Sequence, residues 1–319
     1  MKSNKSITEL IEEMLPGKKA RMRAAGRLMS LSEESSEKTI ELLRELSSFP
    51  KPRIILGITG APGSGKSFLS GRIIEYFRKK YPDRMIGIIA IDPSSPFSGG
   101  AILGDRIRMM KHSDDPHVFI RSISSRGQLG GVTLGTMGII SVMGALGCDV
   151  VLVETVGVGQ MEFAIKDVSD MVAIVLAPGQ GDTVQFLKAG LMEIGDIFIL
   201  NKDDKPGSIQ FYAQLLLALR LMGHNKEQKE LIPRVSALLN RGIPELFDSI
   251  EKHFSADSEE RGFLRRKRLE LLVKRVISFE LQKKMEMILE KEESNFLEEI
   301  LKSKKPISSF LSDLIRKMQ

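Results

Sequence analysis

An α/β fold, with a mainly parallel sheet covered by helices on both faces and helical extensions at both ends, is predicted by three observations in this 319-residue chain. From residue 53 to about residue 254, short apolar, β-branched runs alternate with segments of helical composition. Such alternation builds parallel strands joined by helical crossovers. A glycine-rich loop lies directly between the first apolar run and the first helical segment. Outside these limits the strands stop and helical patterning takes over. The chain thus divides into an N-terminal helical extension (1–52), a central α/β domain (53–254) and a C-terminal helical extension (255–319).

The elements follow in order. Ser6 and Glu9 are spaced as a capping box ahead of Leu10 and Ile11, and Ile40, Leu43 and Leu46 recur at helical spacing. Pro50 and Pro52 end this region. Strands are expected at 53–59, 85–91, 118–122, 150–154, 171–176, 197–201 and 232–235, with helices at 68–80, 133–146, 182–193 and 210–222. Ligand-binding loops should gather at the carboxyl ends of the strands. Residues 257–292 read as one long charged helix whose Val273, Ile277, Leu281, Met285 and Ile288 form an apolar stripe. The stripe requires a packing partner, either the chain's own α/β domain or a second subunit. A last helix, 307–318, follows Pro306.

Composition narrows the function classes. With 42% hydrophobic and 28% charged residues, the chain reads as a soluble globular protein. Its single cysteine, Cys148, precedes an apolar strand; it excludes an intrachain disulfide framework and points to a reducing compartment. Four histidines and that cysteine provide no zinc-ligand spacing. The first ten residues lack a signal-peptide core, and no run approaches the roughly 18 apolar residues of a membrane span. A cytoplasmic protein without membrane association is expected. The net charge of +6 suits an acidic ligand, and the basic residues crowded between Arg261 and Arg275 read as a solvated helix face. No aromatic-rich basic patch accompanies them, so nucleic acid is not an expected partner.

Chemistry enters with the glycine loop. Gly60, Ala61, Pro62, Gly63, Ser64, Gly65, Lys66 and Ser67 form a complete phosphate-binding loop, and Phe68 continues into the helix. Strand, loop and helix in this order define the P-loop NTPase type of three-layer α/β/α fold. Glycines let main-chain N–H groups wrap a phosphate, and the helix N-terminus favours negative charge. Lys66 is placed to reach the β- and γ-phosphates of a nucleotide, and the Ser67 hydroxyl to ligate Mg²⁺.

Asn201-Lys202-Asp203-Asp204 follows a predicted strand with the N-K-x-D form that reads guanine. A carboxylate at Asp204 can accept two hydrogen bonds, from guanine N1–H and the 2-amino group, where adenine offers neither donor. A site built on such bonds rejects the analogue that leaves them unmade. Asn201 would tie loops together and the Lys202 stem would lie along the base. Ser236, Ala237 and Leu238 fit the segment that meets the guanine oxygen. Residues 150–154 are an apolar strand ending in Glu154, the form of a metal-associated acid. Gly157 follows in E-x-x-G spacing, where its N–H can sense a γ-phosphate. Asp92 ends another strand, and Asp105 lies beyond the loop that follows it. Both read as metal- or water-positioning carboxylates, and Asp105 is also placed to cap a helix over 106–111. Val158 stands where many fast GTPases carry a water-orienting glutamine, with Gln160 two positions further on. Slow intrinsic hydrolysis, accelerated by a partner, is therefore expected.

Taken together, the 60–67 loop, the segments Asp92-Pro-Ser-Ser-Pro-Phe-Ser-Gly-Gly, Leu103-Gly-Asp-Arg-Ile-Arg, Arg126-Gly-Gln-Leu-Gly-Gly and Val153-Glu-Thr-Val-Gly-Val-Gly-Gln, Lys188-Ala-Gly and the N-K-x-D segment resemble the MeaB/ArgK family of GTPases. Met161 and Asp203 depart from that pattern, which more often has a small polar residue and alanine there. The resemblance implies a homodimer, GTP and GDP as ligands with Mg²⁺, and switch segments at 92–105, 154–160 (with Gln160) and 178–188 (with Asp182 and Lys188). It also implies the role of a chaperone that gates cobalamin loading into a cobalamin-dependent acyl-CoA mutase of the methylmalonyl-CoA mutase type, and protects it. Two other readings compete. A metallochaperone GTPase should carry a histidine-rich tract or a paired Cys/His site, both missing from this sequence. An accessory ATPase or kinase of basic amino-acid (LAO/AO) transport would not need the guanine-reading Asp204.

Overall fold

The computed structural model describes residues 5–92, 114–124, 129–155, 161–179, 191–223 and 232–255, together with scattered positions from 266 to 287. The chain separates into two units, Met1–Arg268 and Leu269–Gln319. The first opens with helices α1 (Ile7–Met14), α2 (Arg21–Glu34) and α3 (Ser36–Glu45). It continues through β1 (Ile54–Thr59), α4 (Lys66–Lys80), β2 (Met85–Asp92), β3 (Val118–Ser124), α5 (Leu129–Ala145) and β4 (Cys148–Thr155). Then come α6 (Met161–Val168), β5 (Met171–Leu176), α7 (Leu191–Ile194), β6 (Ile197–Leu200), α8 (Ser208–Leu221) and α9 (Ile243–Ser255).

Six strands form one parallel sheet in the order β3-β2-β4-β1-β5-β6. Every residue of β5 and β6 is buried, because helices cover both faces. Alternate strand residues supply two separate cores. On one face Ile54, Leu56, Ile58, Leu152 and Val175 pack with Ile73 and Phe77 of α4 and Phe247 of α9. On the other, Val151, Val153, Ile174 and Phe198 pack with α5 and α6, and with Leu28 and Met29 of α2. The N-terminal helices thus share a core with the sheet. Gly138 permits this closeness: a Cβ there would stand 2.2 Å from Ser32 Oγ on α2.

Ser6 caps α1 with the reciprocal Glu9 bond expected of a capping box. The phase of α3 differs from the apolar spacing. Leu42 and Thr39 are buried, whereas Ile40 is 51% exposed. Leu46 is buried as well, with Leu42, in the core shared with α2, and the Thr39 hydroxyl donates to Ser32 O at 3.0 Å on the same face. The expected seventh strand at 232–235 is reduced to one parallel bridge, Leu200 to Arg234. Pro233 accepts from Leu200 N at 3.0 Å but has no N–H with which to extend the ladder. The helix expected at 182–193 is described only as α7, since 180–190 lie outside the described residues.

At the amino ends of the strands an ion-pair cluster fastens α9 to the sheet. Glu251 accepts from Arg53 (2.9 Å), Lys80 (2.8 Å) and the Tyr81 hydroxyl (3.0 Å), while Asp149 pairs with Arg53 and Arg84. Burial pushes the Cys148 thiol, at the start of β4, up to about 12, which makes it inert as a nucleophile. In the second unit the described positions from 270 to 287 are helical, and Val273, Ile277 and Leu281 are exposed within it. Met285, Ile288 and the helix expected at 307–318 lie outside the described residues. Among the described residues no helix is long and apolar enough to cross a membrane.

Candidate functional site

The loop at 60–65 follows β1 and ends where α4 begins at Lys66. Two of its glycines are required by close approach as well as by backbone angle. Gly60 (φ +139°) lies so near β5 that a Cβ would sit 2.2 Å from Val175 O. Gly65 (φ +90°) would place a Cβ 2.5 Å from Asn201 Nδ2. The first contact seats the loop on the sheet, and the second presses it against the N-K-x-D segment. Lys66 is 7% exposed and its ammonium donates to Gly60 O (2.8 Å) and Ala61 O (3.1 Å), closing the loop on itself. From outside, Lys202 Nζ donates to Gly63 O at 2.6 Å and Asn201 Nδ2 to Ser64 O at 2.8 Å. Ser64 is buried, whereas the Phe68 ring is exposed with the Arg72 guanidinium 5.2 Å from its centroid.

Because β1 and β4 are neighbours with Ile58 opposite Glu154, the carboxylate lies beneath the loop. Glu154 is fully buried. Its Oε1 accepts from Ser67 Oγ at 2.6 Å and its Oε2 from Ser70 Oγ at 2.8 Å. Ser70 was not singled out from the sequence, although its i+3 spacing from Ser67 puts both on one face of α4. Above them, Thr155 Oγ1 donates to Thr59 Oγ1 at 2.8 Å, joining the carboxyl ends of β4 and β1. On the other side of β4, Ala90 pairs with Glu154 and Ile91 with Thr155, so the Asp92 backbone ends β2 beside this acid. The Asp92 side chain, together with Asp105, Gly157, Gln160, Asp182 and Lys188, lies outside the described residues.

Among the described residues no three His, Cys, Asp or Glu side chains group as a metal cage. Mg²⁺ does not need one: it usually takes one or two protein oxygens and completes its shell with phosphates and water. The hard oxygens of Ser67 and Glu154, held together at the N-terminus of α4, fit that requirement.

The N-K-x-D segment and the turn after Ser236 face each other at the carboxyl end of β6. Asn201, 2% exposed, bridges them: its Oδ1 accepts from Ala237 N at 3.1 Å while its amide holds the phosphate loop. The Ser236 hydroxyl donates to Asp204 Oδ1 and accepts from Leu239 N at 3.2 Å. That bond from Ser236, helped by the nearby Lys205 and Arg241 charges, holds the Asp204 carboxyl below its usual range against some burial. Asp204 is therefore an anion. Lys202 takes a left-handed backbone conformation (φ +60°), turning the segment so that Asp203 and Asp204 point to different partners. Arg72 Nε donates to Ala237 O at 3.0 Å and ties α4 to the turn, while Leu238 is 66% exposed. The sequence reading missed Arg72, since an arginine two turns into a helix carries no motif.

A parallel α/β sheet with helices on both faces, a glycine loop of phosphate-binding sequence and an N-K-x-D segment joined to it through Asn201 are the features of a P-loop GTPase. The particular family is equally plain: the chain belongs to that described as methylmalonyl Co-A mutase-associated GTPase MeaB, which matches residues 25–292. A GTPase-titled protein of Pyrococcus abyssi is 46% identical, over 98% of this chain and 96% of its own. The Escherichia coli GTPase ArgK is 35% identical over 77% of this chain and 75% of its own. The mitochondrial methylmalonic aciduria type A homolog of Mus musculus is 37% identical over 66% of this chain and 51% of its own. Among solved structures, one titled as an LAO/AO transport system kinase covers 98% of this chain and 97% of its own, with a TM-score of 0.68 at 22% identity. That likeness is one of fold.

Proposed function

We propose that this GTPase acts in the cytoplasm as a G-protein chaperone, gating cobalamin loading into a cobalamin-dependent acyl-CoA mutase and protecting that enzyme. Membership of a family described by its association with methylmalonyl Co-A mutase supports the partner. The single structural observation that carries the nucleotide is the Asn201 side chain, which bonds the phosphate loop at Ser64 and the base-reading turn at Ala237. One residue thereby links the glycine loop to the turn after Ser236, which supports their serving one ligand.

In this reading, loop N–H groups and Lys66 hold the β- and γ-phosphates, and Asp204 accepts from guanine N1–H and the 2-amino group. Ser67 and Glu154 would hold Mg²⁺, which would supply positive charge against the phosphate oxygens. Water attacks the γ-phosphorus in line, the bond to the β-phosphate oxygen breaks, and GDP and inorganic phosphate leave. Lys66 and the loop amides stabilise the charge that develops. Asp92, Asp105, Gly157 and Gln160 would complete the response to the γ-phosphate, and Asp182 and Lys188 the response to the mutase. With Val158 in place of a glutamine, turnover is slow until the partner supplies the missing positioning. The protein works as a homodimer, with the exposed Val273/Ile277/Leu281 stripe as part of the contact between copies.

Titrating GTP, GDP and ATP against the wild type and Asp204→Asn, then assaying hydrolysis with and without a cobalamin-dependent mutase, tests both halves. Guanine binding should fall by about 100-fold or more in the variant, and the mutase should accelerate turnover. Equal affinity of the wild type for GTP and ATP removes the base-site reading. A mutase that leaves the rate unchanged removes the chaperone reading.

A further inference from the structure

Asp203 occupies the variable position of the N-K-x-D segment, where no base contact is expected of it, yet it is the more tightly held of the two aspartates. Its carboxylate is only 13% exposed. Arg234 reaches Oδ1 through both Nε (2.8 Å) and a terminal nitrogen (2.7 Å), and Arg241 reaches Oδ2 at 3.6 Å. Arg234 lies in the bridge to Leu200, and Arg241 closes the turn that follows Ser236. Arg234 precedes Val235, whose carbonyl accepts from Asp203 N at 3.1 Å, and its guanidinium lies 5.3 Å from the Tyr212 ring centroid. Arg241 exchanges two main-chain bonds of 3.0 Å with Ser236, the residue whose hydroxyl holds Asp204.

This places an exposed cation close to the carboxylate that, on the proposed function, must remain available for a neutral base. Arg241 is 58% exposed and already contributes to the field at Asp204. An arginine forked onto Asp204 would use the same lone pairs that guanine N1–H and the 2-amino group require. We propose that Asp203 is a positioning residue for base recognition: anchored by Arg234, it sequesters Arg241 and so keeps the Asp204 carboxylate open to guanine. The inference rests on Asp204 reading the base. Its consequence is opposite to that of a plain structural clamp, because removing the released arginine should restore what losing Asp203 takes away.

The experiment measures GDP and ADP binding to the full chain for wild type, Asp203→Asn, Asp203→Glu, Arg241→Gln, the Asp203→Asn/Arg241→Gln double variant and Asp204→Asn. Asp203→Asn should bind GDP about tenfold more weakly, with most of the loss recovered in the double variant. Asp203→Glu should retain the wild-type affinity to within about threefold, since it keeps the charge. The Asp203→Asn defect should also shrink between about 0.05 M and 0.5 M salt, as screening weakens the new pair. Wild-type affinity in Asp203→Asn while Asp204→Asn loses guanine preference overturns the inference and leaves the base site standing. A double variant as weak as Asp203→Asn also overturns it and makes Asp203 a scaffold. If Asp204→Asn keeps the guanine preference, the base-site reading fails and this inference fails with it.

Discussion

Replacing Glu154 by glutamine and by alanine separates its structural part from its catalytic part. Both variants remove the same buried charge, so their difference in stability isolates packing and hydrogen bonding. Glutamine keeps the shape, and its amide can still face Ser67 and Ser70, whose hydroxyls rotate to donate or accept. Alanine strands Ser70, which is fully buried. An unsatisfied buried hydroxyl costs about 1–3 kcal/mol, and one lost methylene adds about 0.8 kcal/mol. Glu154→Ala should therefore be less stable than Glu154→Gln by about 2–4 kcal/mol. At roughly 2–4 °C per kcal/mol for a chain of this size, their melting temperatures should differ by some 4–16 °C. Hydrolysis should respond differently, because both variants lose the anion that faces Ser67 and the expected metal. Both should fall by about 100-fold or more in kcat, as when one preorganised electrostatic group is lost. Calorimetry of the nucleotide-free proteins and single-turnover GTP cleavage measure the two effects. Equal stability of the two variants, or a Glu154→Gln enzyme with wild-type turnover, refutes the reasoning.

Gly65→Ala should lose about 1–2 kcal/mol from its left-handed backbone alone. It should also weaken GTP binding by about tenfold or more, because its methyl displaces the Asn201 amide from Ser64; an unchanged Kd would show that Asn201 does not set the loop. For Glu251, burial pushes the carboxyl up, but hydrogen bonds from Lys80, Arg53 and Tyr81 outweigh it and hold its folded pKa below the usual value. A depressed acid stabilises the fold above its unfolded pKa of about 4.3 and loses that contribution as pH falls through the folded value. Wild-type Tm should thus decline below about pH 4.3. Glu251→Gln should lower Tm at pH 7 and flatten that acid limb, and an acid limb unaltered by the substitution counts against the cluster.

Residues contiguous in the chain were legible. The 60–67 loop declares its backbone shape, because glycines at fixed offsets and a following helix leave few alternatives. Glu154 was recognisable as an acid ending an apolar run, and β4, β5 and β6 as buried strands, because their hydrophobicity is unbroken. Legibility failed where several weak local preferences competed. Ile40, Leu43 and Leu46 are apolar at helical spacing, yet Leu42 and Thr39 join Leu46 on the buried side while Ile40 is exposed, because that side packs with α2. The run at 232–235 has strand composition, but Pro233 confines it to a single bridge. Arg72 and Ser70 are ordinary helix residues until their partners are seen.

The linear chain by itself determined the glycine loop, the acid beneath it, the N-K-x-D segment and the alternation that produces a parallel sheet, since each is encoded within a few neighbouring residues. Tertiary structure decided which of these meet. Strand order set β4 beside β1, so that Ser67 and Glu154, 87 residues apart, are within hydrogen-bond distance. It also brought Asn201 to Ser64 across 137 residues, and it directed Asp203 toward Arg234 and Arg241 while Asp204 took Ser236. Such pairings depend on how helices and strands stack to bury both faces of the sheet, a property of the whole core that no short window of sequence contains.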